Sequence, residues 1–405
     1  MKVLHVLNGG IGGAALSTIE LIAALEQRGV TSYIYCTSRV TAEARQHLIE
    51  NSNCAVYFGP MYIWTKRTKK KWFMRPVYEC AQLLYTGCML RSSGRIKRIC
   101  QELEIDIVHS STSVSPDGAI AAASLGLPHV WHIRELFGAG HNFRIRGDRG
   151  LGAGRRFCRS GWVVANSAVT KQALYGEPDR ERVSIVSNGI RSNLLGRQVS
   201  ERNGPEMVFG MIANLSAAWK KHEVFIRAAS LVLKCNPDAR FVIYGEVPSG
   251  SAYANRMIQL AESLGLRDVL RFPGYQSNIA AIMSSIDVVV HPATDESFGR
   301  IFIEAAAFGR PVLAGAGGAA YEIIVDGETG ILVHGDNVQR FADEMALFAC
   351  NRGRIVMMGD KAAHHAAKFS IEATAERVSK VYAAARAECI AKPLNMFRSI
   401  GRVIR

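Results

Sequence analysis

The feature that most constrains this chain is an alternation that runs through it twice. Short apolar runs rich in β-branched residues, KVLHVL (2–7), TSYIYCT (31–37), DIVHSS (106–111), HVWHIR (129–134), WVVANS (162–167) and RVSIVSN (182–188), are separated by longer helical patterns. The stretch AALSTIELIAALEQRG is the first of these, with apolar residues at helical spacing and a glycine stop at Gly29. A polar segment with Gly and Pro, 191–206, then interrupts the pattern and reads as a linker. The alternation restarts with MVFGMIANL (207–215), ARFVIYGE (239–246), VLRFPGY (269–275), DVVVHP (287–292), RPVLAGA (310–316) and TGILVH (329–334). Strands alternating with helices imply parallel sheets covered by helices on both faces. The expected fold class is α/β, as two doubly wound parallel-sheet domains over 1–190 and 207–370. Residues 371–405 form C-terminal helices that pack back on the first domain. Ligands of such sheets bind outside the carboxyl ends of the strands, so the expected site is a cleft that the two domains face across.

Composition narrows the partners. A net charge of +14 points to acidic ligands such as nucleotide phosphates, anionic lipid or nucleic acid. The basic runs KRTKKKWFMR (66–75), RIRGDRGLGAGRRFCR (144–159) and KPLNMFRSIGRVIR (392–405) carry much of it, and the first includes Trp72 and Phe73. Lysines mixed with aromatics suit a solvated loop or an anionic membrane surface. The nine cysteines form no CxxC, which argues against a disulfide framework or zinc site and for a reducing compartment. The apolar run before Asn8 is too short for a signal peptide, and no apolar run is long enough to span a membrane.

One segment carries chemistry: HPATDESFGRIFIEAAAFGRPVLAGAGG, from position 291. A strand ends at HP, a loop follows, and RIFIEAAAFG reads as a helix stopped by Gly309 and Pro311. Glu296 falls at or just before the helix start, with Glu304 about two turns further on. The backbone N–H groups of Ser297, Phe298 and Gly299 would lie at the helix start, and Gly299 admits close approach. Such a platform binds an anion between two carboxylates. A sugar joined to a nucleoside diphosphate has that shape, with hydroxyls at each end and phosphates between. A helix-surface Glu304 and a Glu296 that merely favours the helix dipole are the plainer readings. The neighbours Ile303, Ala305, Ala306 and Ala307 argue against a solvated face, because a buried glutamate is rarely unpaired.

The stretch ESFGRIFIE, with the following GRPV, GG, DG and TG at their spacings, resembles the E-x7-E block of retaining glycosyltransferases of the GT-B fold, family 4. GGIGGAALSTIELIAALEQRG, HIRE (132–135), VVANS (163–167), VSNGI (186–190), WKKHEVFIRAA (219–229) and RFPGY (271–275) agree in order, so the resemblance spans nearly the whole chain. It implies two Rossmann-like domains, Glu296 on donor-sugar hydroxyls, Glu304 on the ribose, and backbone amides of Phe298 and Gly299 on the ligand. It also implies Lys220 on the leaving diphosphate, Gly12 and Gly13 presenting amides to that phosphate, and His132 or His109 on the acceptor side. The sequence departs from the family at two positions. Asn214 stands where an arginine is usual and Lys221 where a glycine is usual, so the phosphate contact is shared among Lys220, Lys221, Asn214 or an arginine from elsewhere. The implied reaction moves a sugar from a UDP- or GDP-linked donor to a hydroxyl of a glycan or lipid-linked acceptor in envelope polysaccharide synthesis, with retention. No metal cofactor is expected, because cationic side chains can balance the departing charge. The expected location is cytoplasmic, against the inner face of the membrane, with no nucleic-acid partner.

Three other readings stay open on sequence. A nucleotide-sugar epimerase or phosphorylase shares the two-domain pattern. A nicotinamide dehydrogenase fits less well, since GGIGGA matches its glycine motif loosely and YIYCTSR ends without the acid that motif requires. A basic nucleic-acid binder rests on charge alone.

Overall fold

The structure, a computed structural model, describes residues 1–9, 12–63, 65–66, 75–136, 144–145, 161–175, 182–196, 206–216 and 218–391. Most of the basic run 66–75, nearly all of 144–159, the whole of 392–405, and part of the glycine loop (Gly10 and Ile11) lie outside the described residues. The chain divides into two compact units. Unit 1 comprises Met1–Gly189 and Ile371–Arg405, and unit 2 comprises Ile190–Ser370.

In unit 1 the elements run β1 (Lys2–Leu7), α1 (Gly13–Glu26), β2 (Thr31–Thr37), α2 (Ala42–Asn51), β3 (Val56–Gly59), β4 (Thr65–Lys66) and α3 (Arg75–Glu102). They continue with β5 (Ile107–Ser110), α4 (Asp117–Leu125), β6 (His129–Ile133), β7 (Arg144–Ile145), β8 (Trp162–Ala165), α5 (Ala168–Tyr175) and β9 (Val183–Ile185). Seven of the strands form one sheet in the order β3-β2-β1-β5-β6-β8-β9, and every pairing in it is parallel. β4 and β7 pair separately and antiparallel. The order reverses between β1 and β5, the switch point of a doubly wound sheet.

Unit 2 holds β10 (Met207–Ile212), α6 (His222–Cys235), β11 (Ala239–Tyr244), α7 (Ala252–Ser263), β12 (Leu270–Gly274), α8 (Ile279–Ser285) and β13 (Val288–His291). It goes on with α9 (Arg300–Ala307), β14 (Val312–Gly315), α10 (Ala320–Ile323), β15 (Gly330–Val333), α11 (Val338–Cys350) and α12 (Arg352–Ala366). Its sheet, again all parallel, is ordered β12-β11-β10-β13-β14-β15, with the switch point between β10 and β13. Apolar side chains cover both faces: Phe209, Phe225, Phe241 and Phe341 on one, and Val289, Ile303, Phe302 and Ala314 on the other. After Ser370 the chain returns to unit 1 as α13 (Ile371–Ala391), which buries Val378, Val381 and Tyr382 in the same core as Leu21 and Leu25 of α1. Ile190, the first residue of unit 2, bridges to Ser370, its last.

Each strand expected from sequence coincides with an observed one; β1 and β2 match residue for residue and the others are trimmed at their ends. β3 was not expected, because it has only four residues, is half-buried at the sheet edge and is followed at once by Pro60.

Candidate active site

The site in unit 2 is built at its switch point, from the loop after β10 and the loop after β13. β13 is an unbroken buried run, Val288 to His291. The chain leaves it at Pro292, and α9 begins only at Arg300, because Gly299 sits in the left-handed region at φ 77°. A Cβ there would fall 2.3 Å from the Phe302 ring, so the turn requires glycine. Glu296 therefore lies in the loop, four residues ahead of the helix. Glu304 sits one turn into α9, a helix buried on every side, which is why this carboxylate is buried too. Phe298 turns its ring into the core, edge-on to Phe369.

Glu296 is the centre of the arrangement. It is 7% exposed. His291 Nε2 donates to its Oε1 at 2.8 Å, and the Lys220 ammonium donates to the same oxygen. Burial alone would push its carboxyl up, but the ammonium and the imidazole outweigh that and hold it at about 2. Lys220 ends a short 3-10 turn, Ala218–Lys220, and its Nζ also lies 4.0 Å from the centroid of the half-exposed Trp219 ring. Glu304 accepts from Arg300 Nε at 2.6 Å, one helical turn back.

A second loop props this one. Gly315, Gly317 and Gly318 pass so close to residues 292–296 that a Cβ on any of them would meet backbone at 2.3 to 2.5 Å. The Ala319 amide donates to the Glu296 carbonyl at 2.9 Å. The GAGG sequence is thus a contact surface for the glutamate's own backbone.

The structure gives two of the expected phosphate-binding residues other partners. Lys221 is the N-cap of α6 in the left-handed region, φ 57°, which explains why glycine is the usual residue there. Its Nζ donates to Thr294 Oγ1 at 2.8 Å and pairs with Asp336. Asn214 Oδ1 accepts from the Glu246 amide at 2.9 Å, tying the loops after β10 and β11 together.

In unit 1, Gly12 is the exposed N-cap of α1 at φ 126°, and Gly13 is the helix's first residue. His132 is fully buried on β6. Its ring packs at a tilt against that of His109, centroids 5.3 Å apart, which packs likewise against His5 at 5.1 Å. Arg134 donates to His132 Nδ1 at 3.4 Å, and His132 Nε2 has no hydrogen-bond partner. Burial, then the Arg134 charge, holds this ring well below its ordinary value and neutral. His109 shares a hydrogen bond with the Tyr382 hydroxyl of α13. The histidines thus form a neutral buried cluster of tilted rings.

Residues 195–365 match the family profile described as "Glycosyl transferases group 1", and residues 11–194 match the one described as "Glycosyltransferase Family 4". The D-inositol 3-phosphate glycosyltransferase of Streptomyces coelicolor is 38% identical over 315 residues, 69% of this chain and 69% of that one. The chain belongs to the group 1 glycosyltransferases. The enzyme of the same name from Corynebacterium diphtheriae is 28% identical over 399 residues, 93% of this glycosyltransferase and 90% of that protein. Among solved structures, Anabaena HepE in complex with UDP-glucose superimposes with a TM-score of 0.76 at 20% identity, covering 95% of this glycosyltransferase and all of that chain. The sucrose-phosphate synthase of Thermosynechococcus elongatus gives a TM-score of 0.72 at 14% identity, covering 96% and 99%. The fold is therefore GT-B.

Three residues of the glycosyltransferase's site escaped the sequence reading. His291 ends an apolar strand and looks like core. Arg300 is legible only through its i,i+4 spacing to Glu304. Trp219 stands beside lysines that drew the attention as charge. Among the described residues, no helix is long and apolar enough to cross a membrane.

Proposed function

We propose that this glycosyltransferase moves a hexosyl group from a nucleoside-diphosphate sugar to an acceptor hydroxyl with retention of anomeric configuration. The observation that carries the reading is the Lys220–Glu296 pair at the switch point of the second sheet, its carboxylate buried and its ammonium partly exposed. The buried carboxylate needs a partner, and a sugar diphosphate supplies one for each charge of the pair. Sugar hydroxyls donate to the Glu296 carboxylate, and the Lys220 ammonium turns to the diphosphate. Glu304, held by Arg300, accepts from the ribose hydroxyls. As the C1–oxygen bond to phosphate breaks, negative charge builds on the leaving oxygen, where Lys220 stabilises it. The acceptor oxygen bonds to C1, and its proton passes to the leaving phosphate.

The test is a thermal-shift panel of UDP, GDP, UDP-glucose, UDP-N-acetylglucosamine and GDP-mannose. At least one raises the melting temperature of the wild type, and Glu304→Ala abolishes the shift. Unchanged binding by that variant removes the ribose assignment. We propose that no divalent ion is needed, because lysine takes its place. Turnover then survives EDTA, and its loss in chelator refutes this.

For the acceptor we propose an envelope glycan or lipid-linked hydroxyl, reached from an anionic membrane surface, with no nucleic-acid partner; the net charge of +14 supports the surface. A second acceptor, an inositol phosphate, is favoured by the names of the relatives. Release of nucleoside diphosphate on adding D-inositol 3-phosphate, against release on adding a lipid-linked glycan, separates the two.

A further inference from the structure

We propose that His291 is the positioning residue that keeps Glu296 aimed at the donor hexose once Lys220 has moved to the diphosphate, an inference that rests on the reading of the site just given. His291 occupies the last position of β13, five residues before Glu296, and is 1% exposed. A carboxylate only accepts, so the proton of this 2.8 Å contact is on Nε2. Nδ1 is then bare, and it is buried without a hydrogen-bond partner. The ring stands edge-on to Phe302 at 5.4 Å, which fixes its plane.

A histidine kept only for packing would be a poor choice here. Val288, Val289 and Val290 fill the rest of the strand with no polar atom to satisfy. A buried nitrogen without a partner costs about 1–3 kcal/mol, and the bond to Glu296 is what offsets it. The two donors on Glu296 also differ in freedom. The Lys220 side chain is 20% exposed, on a short turn, whereas His291 is locked in the sheet. Both fall on Oε1, and no other side-chain hydrogen bond to this carboxylate is formed among the described residues. When the ammonium leaves for phosphate, His291 remains as the one side-chain restraint on Oε1, with Oε2 presented to the sugar. Being uncharged, it does not compete with sugar hydroxyls for the carboxylate's charge.

The experiment measures Kd for a nucleoside diphosphate and for its hexose derivative, using UDP with UDP-glucose or UDP-N-acetylglucosamine and GDP with GDP-mannose. It also measures donor kcat/KM with the best pair. His291→Leu is expected to weaken binding of the hexose derivative about tenfold more than binding of the nucleoside diphosphate alone, because both ligands draw Lys220 away but only the first needs the carboxylate aimed. It should lower donor kcat/KM by about 10- to 100-fold, the range for a lost hydrogen bond to a charged group. His291→Gln, whose amide nitrogen reaches about as far as Nε2, restores most of that loss. If the leucine variant does not fold, glutamine is compared with asparagine, which cannot reach Oε1 and behaves as leucine was expected to. The proposal is overturned by a leucine or asparagine variant with wild-type hexose preference, by equal losses for diphosphate and sugar diphosphate, or by a glutamine variant that rescues nothing. Wild-type protein that binds none of the five nucleotides overturns the parent reading as well, and that result is distinct because it appears before any substitution is made.

Discussion

Replacing Gly318 by alanine tests whether the GAGG loop positions Glu296. Gly318 has φ +53°, and a Cβ there would lie 2.3 Å from the Glu296 carbonyl oxygen and 2.8 Å from its nitrogen. Carbon atoms of this kind do not approach below 3.0 Å, so the loops must part by 3.0 − 2.3, or 0.7 Å. Both atoms are backbone, so no rotamer change relieves the contact. The left-handed conformation costs an alanine about 1–2 kcal/mol. Parting the loops weakens the Ala319–Glu296 hydrogen bond, worth about 1 kcal/mol. The expected destabilisation is about 2–3 kcal/mol from those two sources. A shift of this order at a reacting group lowers turnover by up to about 100-fold. Gly327→Ala is the control, since Gly327 has φ +76° with nothing within 4 Å of the added carbon. It should lose only the conformational share and keep its activity. Urea denaturation gives the stabilities, and donor turnover gives the activities. Equal stability losses in the two variants, with Gly318→Ala fully active, would refute the reasoning.

Three further outcomes follow from the same geometry. Lys221→Gly removes a left-handed lysine but also its ties to Thr294 and Asp336, so urea melts should move by no more than about 1 kcal/mol and turnover should survive; a tenfold loss of turnover would return Lys221 to the phosphate. The Glu296 carboxyl is held at about 2, below its ordinary 4.5, so the stability it adds is complete above 4.5 and is lost only as pH falls through about 2. The ratio of donor Kd between Glu296→Gln and wild type, measured by titration calorimetry, should accordingly be flat between pH 5 and pH 8. Burial lowers the folded-state value of His5 to about 3 from 6.5, so its contribution is full above 6.5 and declines as pH falls toward 3, by about 1.4 kcal/mol per pH unit. His5→Gln should flatten the pH dependence of urea stability by that slope between pH 6 and pH 4, and an unaltered slope would show the ring is not the proton acceptor.

Most of the architecture was legible because its determinants are local. A parallel strand covered on both faces must be an apolar β-branched run, and Val288–His291 or Met207–Ile212 can hardly be anything else. The carboxylate pair was legible because a charge among Ile303 and Ala305–Ala307 contradicts its surroundings. The deepest miss, His291, depended on a partner distant in sequence. Nothing around His291 announces that Lys220, some seventy residues earlier, meets it at one oxygen. Nor does KK in WKKHEVF tell which lysine faces the site. In the structure Lys221 sits in a left-handed turn with its ammonium on Thr294 and Asp336, while that of Lys220 meets Glu296. The tie of Asn214 was hidden for the same reason, since its Glu246 partner lies on a different loop.

The two departures from the family pattern converge on Lys220. With Asn214 and Lys221 engaged elsewhere, the proposed reaction asks one ammonium to serve the glutamate at rest and the diphosphate in use. A nucleoside diphosphate alone would draw Lys220 away and leave a buried carboxylate with only His291, a state that a low-dielectric site penalises. A free hexose would find the carboxylate already paired. Only the whole donor replaces both halves of the ion pair at once, so its halves bind with positive coupling. The affinity of the sugar nucleotide should then exceed what its separate parts predict, and Lys220→Gln should erase that excess in titration calorimetry. An excess that survives in Lys220→Gln would mean that the pair seen at rest plays no part in donor selection.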